Sequence, residues 1–239
     1  MKVLKIKLNQ VFANYRKPMS YNYIDTFPLP PFSTIKGWFH NIIEAKEYYP
    51  ISMSIQGSHS SVVQDMQSMI KFDRKRGEGK TLLKDFNSEL SQSPVYVANL
   101  FNVELTIYIK AEAKLLEKFK QRVFEKDFPS LGRYEDLARI DFVDFIELEE
   151  REFSHFDEEK QFILDYGIYL TKEKANSCYI KGINYRMPFK YEATKNTDGL
   201  RVFKDKIDTV FVDNGLIDTG SFLFDSKDNR IVELIGDFK

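Results

Sequence analysis

Residues 28–39 read PLPPFSTIKGWF, and this stretch marks the change from an extended chain to a helix. Its prolines hold the backbone extended, because proline fixes φ and disfavours the helical conformation in the residue before it. Ser33 or Thr34 then falls in the N-cap position, and apolar residues recur after it at helical spacing. The pattern predicts an amphipathic helix that ends near Lys46. Its apolar face is Phe32, Ile35, Phe39, Ile42 and Ile43.

A strand is predicted ahead of this helix. Residues 1–12, MKVLKIKLNQVF, alternate between apolar and polar side chains with the period of two that is typical of a half-buried strand. We expect the lysine-bearing face to lie open to solvent or to an anion. The two faces are Leu4, Ile6 and Leu8 on one side and Lys5, Lys7 and Asn9 on the other.

Further strands and a second helix follow along the chain. Alternation predicts strands at residues 51–57, 94–110 and 141–148, and helical periodicity predicts a helix over residues 112–126. The order strand, helix, strand, strand, helix, strand is that of a ferredoxin-like domain, in which two helices cover one face of an antiparallel sheet. We therefore predict an α+β fold with a ferredoxin-like (RRM-like) domain over residues 1–148.

Residues 149–239 are rich in strand patterns and open on the charge run EEREFSHFDEE, which marks a boundary. Near their end, SFLFDS and RIVELIG are separated by a turn that contains Asp228 and Asn229, so these two segments are predicted to form a hairpin. We expect a small antiparallel β-rich C-terminal region.

An insertion interrupts the predicted domain at residues 58–93. Its middle reads KFDRKRGEGK, and Gly77 and Gly79 favour a turn at the tip, so we predict a thumb-like β-hairpin arm. Two interpretations remain open: the arm contacts phosphate groups, or it is a solvated loop. Its basic side chains are Lys71, Arg74, Lys75, Arg76, Lys80 and Lys84.

The charge of the chain is unevenly distributed, although the formal net charge is only −1. Residues 1–140 hold 21 lysines and arginines against 15 acidic residues, whereas residues 141–239 hold 14 against 21. The sum excludes a uniformly basic nucleic-acid binder of the histone type. The partition instead indicates two surfaces with different partners, of which the N-terminal one suits phosphate.

Few chemistries are available to this sequence. Cys178 is the one cysteine, and no histidine pair or phosphate-binding glycine motif is present, so we expect neither a metal nor a cofactor. Metal-independent RNA cleavage needs only a general base and a proton donor for the phosphate. The candidate for that role is His59, at the root of the arm, whereas the position of His40 inside the first helix favours a structural role.

No segment of the sequence is typical of membrane insertion or export. The first residues lack the apolar core of a signal peptide, and no stretch approaches the ~18 consecutive apolar residues of a membrane-spanning helix. We expect an intracellular, cytoplasmic protein with no membrane partner.

Two motifs together resemble the fifth Cas protein family of CRISPR systems, which belongs to the RAMP superfamily. The first opens the predicted helix with the pattern Pro-Pro-x-Ser-Thr-x-x-Gly, and the second resembles the glycine loop that follows the second helix in that family. The resemblance covers roughly residues 1–57 and 94–148 and is most similar to the type I-B form. The matching residues are Arg16, Pro30, Pro31, Ser33, Thr34 and Gly37, then Leu131, Gly132, Arg133, Glu135 and Leu137.

The resemblance implies a subunit of the Cascade surveillance complex that holds the 5′ handle of the CRISPR RNA and caps the filament of backbone subunits. Its implied partners are that handle, the backbone subunit, the large subunit that reads the PAM, and target DNA through the complex. The thumb of the family would correspond to residues 58–93. Type I-C members cleave precursor RNA with a cluster of Tyr, Lys and His, but this sequence has no adjacent Lys–His pair.

We therefore expect an RNA-binding structural subunit without catalysis. Two alternatives are a metal-independent endoribonuclease that processes precursor CRISPR RNA and a protein-interaction scaffold that does not contact RNA. The candidate RNA-binding residues offer positive charge, free N–H groups at a helix start, or a ring for base stacking. They are Lys5, Lys7, Arg16, Lys17, Ser33, Thr34, Lys36, Arg74, Lys75, Arg76, Lys80, Gly132, Arg133 and Tyr134.

Overall fold

The fold was analysed in a computed structural model, which describes residues 1–238 except for 19, 21, 74–80, 84–87, 126–128 and 193–201. Within that part of the chain the structure mixes α-helices with a larger number of strands, as predicted. The helices are α1 (Phe32–Ile42), α2 (Ala113–Arg122) and α3 (Lys172–Ser177), with one 3-10 turn at Glu158–Lys160.

The strands are β1 (Lys2–Ala13), β2 (Tyr23–Ile24), β3 (Ser52–Ser58), β4 (Ser61–Asp73), β5 (Thr81–Leu83), β6 (Ser88–Lys110), β7 (Arg139–Glu147), β8 (Glu149–Ser154), β9 (Phe162–Leu164), β10 (Gly167–Thr171), β11 (Ile183–Glu192), β12 (Val202–Val212), β13 (Gly215–Ile217), β14 (Thr219–Asp225), β15 (Arg230–Val232) and β16 (Ile235–Gly236).

The centre of the molecule is a sheet in which β3, β6, β1 and β7 lie side by side in that order, each antiparallel to its neighbour. Helix α1 follows β1, and α2 follows β6. The helices pack on the face of β1 that carries Leu4 and Ile6, where the rings of Phe39 and Phe119 stack with centroids 5.1 Å apart. This apolar burial is the main stabilising contribution to the fold.

Helix α1 begins two or three residues earlier than the sequence predicted, which corrects the assignment of its cap. The N-cap is Pro31, whose extended backbone (φ −66°, ψ 153°) precedes the helix, and no side chain caps the first turn. Ser33 and Thr34 therefore lie inside that turn. Proline is well suited to this position, because its missing N–H would have no helical partner there.

The face of β1 that carries lysines is covered rather than open, which corrects a second prediction. Lys5 is only 3% exposed, and its ammonium group pairs with Asp225 of β14 and with Asp228, 2.7 Å away. Lys7 pairs with the same Asp228. The period of two showed which side chains share a face, but the C-terminal strands that cover this face lie more than 200 residues away in sequence.

The predicted C-terminal region completes the same sheet. Strand β10 pairs with β3, and β12 and β11 extend the sheet beyond it. Strands β8, β14 and β15 form a three-stranded sheet. The predicted terminal hairpin is confirmed as β14–β15, with Asp225 opposite Arg230 and Asn229 at a positive φ of 52°. Strands from both sides of residue 148 pair directly, because β10 and β16 both pair with β3. The division into two domains at that residue stays a prediction.

The insertion predicted at residues 58–93 contains a long two-stranded ribbon. Strand β4 runs antiparallel to the first half of β6, from Ser61 opposite Phe101 to Asp73 opposite Glu89. Outside the described residues lie the candidate RNA-binding residues of the insertion, which are Arg74, Lys75, Arg76 and Lys80.

Candidate nucleic-acid interface

The loop between α2 and β7 is built around Gly132, which has a positive φ of 114°. A Cβ atom at this position would lie 2.6 Å from an Asp136 carboxylate oxygen and 2.8 Å from the Asn14 carbonyl oxygen. Glycine is therefore required both by the backbone conformation and by the close approach of the chain. The sequence pattern had indicated the turn but not these neighbours.

The carboxylate of Asp136, which is only 1% exposed, organises this loop. It accepts hydrogen bonds from the backbone N–H groups of Asn14 (2.9 Å) and Arg133 (2.7 Å). Gln10 donates to the carbonyls of Leu131 (2.8 Å) and Asp136 (2.9 Å). These buried hydrogen bonds hold the loop in one conformation.

Arg133 connects the glycine loop to the base of the ribbon. Its guanidinium group contacts Asp136 at 2.9 Å and Glu135 at 2.9 Å, and it also donates to Asn99 of β6 at 3.0 Å and to Gln67 of β4 at 3.4 Å. Its charge is thus already paired within the chain. A direct phosphate contact by Arg133 stays a prediction, and in this geometry its guanidinium group joins the loop to β4 and β6.

The next residue, Tyr134, is the exposed element of the loop, with 88% of its surface accessible. Arg16 and Lys17 follow Asn14, which the loop already holds. Arg16 is exposed and donates to the Ser20 carbonyl, and Lys17 pairs with Asp25 at 2.8 Å. The predicted residues Arg16, Lys17 and Tyr134 therefore lie on neighbouring segments. The ring of Tyr134 and the guanidinium group of Arg16 are accessible.

Two further tyrosines at the ribbon base are accessible and were not singled out from the sequence. Tyr23 of β2 and Tyr96 of β6 are register partners, and they are 43% and 54% exposed. An amide of Gln64 on β4 donates to the Tyr23 hydroxyl at 2.9 Å. Exposed rings of this kind suit base stacking, but only the pairing of β2 with β6 places them together.

The start of α1 forms a separate site, which contains Ser33, Thr34 and Lys36. Ser33 and Thr34 are partly exposed, but Lys36 is only 7% exposed, and its ammonium group has no hydrogen-bond partner. It lies 3.9 Å from the ring centroid of Phe189 and 5.1 Å from that of Tyr48. Burial lowers the pKa of Lys36 to about 8. The burial of Lys36 and its ring neighbours were not predicted from the sequence, and its contact with an anion stays a prediction.

Lys5 and Lys7 lie in a third place, in the acidic cluster formed with Asp225 and Asp228. The carboxylate of Asp225 is 1% exposed and also accepts a hydrogen bond from the Tyr108 hydroxyl at 2.9 Å. Since Lys5 is buried and neutralised, it is a structural residue that fastens β14 to the central sheet, not an open phosphate contact. Lys7 is partly exposed and shares Asp228 with it.

The two histidines of the basic part of the chain have different surroundings. His40 Nδ1 lies 2.8 Å from the Lys36 carbonyl oxygen, to which it donates, and its Nε2 accepts from the Tyr49 N–H at 3.1 Å. His59 lies between β3 and β4. Burial lowers its pKa, and the negative charge of Asp213 raises it by a smaller amount. Among the described residues, no group of three or more His, Cys, Asp or Glu side chains is placed to hold a metal ion.

Sequence reasoning missed the acceptor and ring residues that fix each site. Asp136 stands three residues after Arg133, a spacing that could have indicated an ion pair. Tyr48, Phe189 and Asp237 come from three distant parts of the chain, and no local pattern joins them. Within the described part of the chain, no helix combines the length and apolar character that crossing a membrane requires.

The fold and these motifs can now be compared with known proteins. The family model described as "CRISPR-associated protein (Cas_Cas5)" matches residues 3–208, which is most of the chain. A solved structure described as "CRISPR RNA-guided surveillance complex" is similar with a TM-score of 0.56 and 10% identity, covering 89% of this chain and 90% of that one. No curated protein sequence matches.

A second solved structure, described as "Crystal structure of a CRISPR protein from Archaeoglobus fulgidus", has a TM-score of 0.45 and 8% identity over 98% of this chain and 100% of that one. Because the similar structures share so little sequence identity, they bear on the fold alone. The family model covers far more than half of the chain. The chain therefore belongs to the Cas5 family of CRISPR-associated proteins.

Proposed function

We propose that the chain is the RNA-binding structural subunit of a type I Cascade complex, of the I-B form, which acts in antiviral defence. In this role it holds the 5′ handle of the CRISPR RNA and caps the filament of backbone subunits. It also contacts the large PAM-reading subunit and meets target DNA through the assembled complex. Membership of the Cas5 family supports this proposal, as does the fold that the chain shares with part of a CRISPR RNA-guided surveillance complex.

The observation that carries the proposal is the glycine loop. Arg133 and Asp136 fasten it to the ribbon and to the segment that follows β1, and Tyr134 is left 88% exposed at its tip. A fixed loop with an accessible ring, next to a basic segment, is what binding of single-stranded RNA requires, because bases stack on rings and phosphates contact cations.

The topology supports the finer fold assignment that accompanies this function. The strand order β3-β6-β1-β7, with helices after β1 and β6, is the arrangement expected for a ferredoxin-like (RRM-like) domain. We further propose that the ribbon of β4 and β6 is the base of the family's thumb.

The direct test of this interface is RNA affinity. We expect Tyr134→Ala to weaken binding to single-stranded handle RNA by roughly tenfold, which is the order of one lost stacking contact. Phe156→Ala is the matched control, since Phe156 is also 88% exposed but lies in the acidic part of the chain. Fluorescence anisotropy measures both. Equal effects of the two substitutions would contradict the assignment of the loop.

We propose that the chain acts without catalysis. Both ring nitrogens of His40 are engaged by the backbone, and burial, with a hydrogen bond to Asp237, raises the pKa of Tyr48, so neither group suits proton abstraction at neutral pH. Purified protein incubated with repeat RNA in the absence of metal should leave it intact. Cleavage that disappears in His59→Ala would establish the endoribonuclease alternative instead.

A further inference from the structure

The ammonium group of Lys36 is the most unusual charge among the described residues. Lys36 is 7% exposed, and its Nζ finds no hydrogen-bond partner although it can donate three bonds. The rings of Phe189 and Tyr48 offset part of the cost of burying it, because a cation is attracted to the face of an aromatic ring. The three donors nevertheless stay unused, and burying an unpaired charge is expensive.

A second ammonium group approaches the same ring. Lys190 of β11 places its Nζ 4.1 Å from the ring centroid of Tyr48. Positive charge from α1 and from β11 thus lies near the ring of one tyrosine. Asp205 of β12 is also charged and lies opposite Lys190 in the strand register.

An anion of the chain itself already occupies part of this place. One oxygen of the Asp237 carboxylate accepts a hydrogen bond from the Tyr48 hydroxyl. The other accepts a hydrogen bond from the backbone N–H of Ile51 at 3.0 Å. The adjacent Phe238 is held by the Ser52 hydroxyl through bonds of 2.8 and 3.1 Å, and β16 pairs with β3. We call residues 235–238 the strap.

We propose that Lys36, Lys190 and Tyr48 form a phosphate-binding site, and that the strap closes it by placing Asp237 where a backbone phosphate of bound RNA would lie. When RNA binds, its phosphate replaces the carboxylate on Tyr48 and accepts hydrogen bonds from the two ammonium groups. This proposal rests on the proposed RNA-binding function. A phosphate suits the site because its oxygens accept several charge-assisted hydrogen bonds at once.

The site would join three parts of the chain that are distant in sequence. Lys36 lies in the helix that carries the Pro-Pro-x-Ser-Thr-x-x-Gly motif, Lys190 lies in β11, and the strap follows the last hairpin. A phosphate held there would therefore make the C-terminal strands contribute to RNA binding, even though their net charge is negative.

The test compares the affinity of the full chain and its variants for single-stranded handle RNA at one fixed salt concentration. We expect Asp237→Asn to tighten binding by roughly fivefold, which is the order of one unit charge removed at about 4 Å in water. In a background that carries both Lys36→Met and Lys190→Met, the same substitution should change affinity less than twofold, because both cations of the site are gone. Asp141→Asn on β7 is the control of equal charge change and should also have an effect below twofold.

Hydrogen exchange of the unmodified chain gives a readout that does not depend on folding of the variants. RNA binding should speed exchange at the amides of Ile51 and Phe238, because movement of the strap separates Ile51 from its acceptor on Asp237 and Phe238 from its acceptor, the Ser52 hydroxyl. If RNA binds but neither exchange nor the Asp237→Asn affinity changes, the strap proposal is wrong and the RNA-binding function stands. If neither wild type nor Asp237→Asn binds RNA, both proposals are wrong.

Discussion

Lys5 shows how one side chain can fasten two distant parts of this chain. Its ammonium group, 3% exposed, is paired with Asp225 and Asp228 beneath the β14–β15 hairpin. Removing Asp225 would leave Lys5 with the partly exposed Asp228 alone and would leave the buried Tyr108 hydroxyl without its acceptor. We expect Asp225→Ala to lower the free energy of unfolding by about 3–5 kcal/mol, measured by urea denaturation.

Two comparison variants show whether burial is the cause. Asp25 forms an ion pair with Lys17 that is partly exposed on both sides, so Asp25→Ala should change stability by less than about 1 kcal/mol. Replacing both partners, as Lys5→Met with Asp225→Leu, should recover much of the loss because no lone charge remains. A double variant as unstable as Asp225→Ala would contradict this account.

Lys36 makes stability depend on pH in an alkaline window. Its pKa is about 8 in the folded chain against an ordinary 10.5, so the unfolded chain binds more protons between those values. Stability from this group therefore rises as pH increases from 8 to 10.5 and is lowest below pH 8. We expect Lys36→Met to be more stable than wild type at pH 7, with the difference shrinking toward pH 10.

Urea unfolding of both proteins at pH 7, 8, 9 and 10 measures that difference directly. Titration of the tyrosines cancels in the comparison, since both proteins contain them. A stability difference that stays constant from pH 7 to pH 10 would show that Lys36 is not depressed in its pKa.

The glycine loop depends on one backbone conformation, and its sensitivity can be tested with two alanine substitutions. Gly132→Ala meets a positive φ of 114° and a carboxylate oxygen 2.6 Å from the new Cβ, so we expect a loss of about 2–4 kcal/mol. Gly37→Ala in α1 meets no atom within 4 Å and should stabilise by about 0.5–1 kcal/mol. Thermal unfolding that responds equally to both would contradict the geometry described for the loop.

The secondary structure elements were largely predictable because each has a local signature. The periodicity of Ile35, Phe39 and Ile42 identified α1, and alternation identified β1 and the β14–β15 hairpin. The prediction that Ser33 or Thr34 caps α1 was wrong, because Pro31 precedes the helix without a side-chain cap. The prediction that the lysine-bearing face of β1 is open was also wrong for Lys5, since alternation cannot show what packs on either face of a strand.

In the whole molecule, strands from the basic and the acidic parts of the sequence pair in one sheet. The acidic C-terminal strands pair with β3 and supply the carboxylates that neutralise Lys5, so part of their charge is internal. The loop of Gly132 and Tyr134 could be predicted from the sequence, because its residues are neighbours in the chain. It could not find the set of Lys36, Tyr48, Phe189 and Asp237, which only the folded chain brings together.

The central claim is that this Cas5 family member holds the 5′ handle of CRISPR RNA. The most direct measurement is the affinity of the purified chain for single-stranded handle RNA and for a scrambled RNA of equal length and composition, each at low and high salt. We predict tighter binding to the handle at both concentrations, with affinity for both RNAs falling as salt rises because phosphate contacts release counterions. Equal affinity for the two RNAs, or binding to neither, would contradict the account.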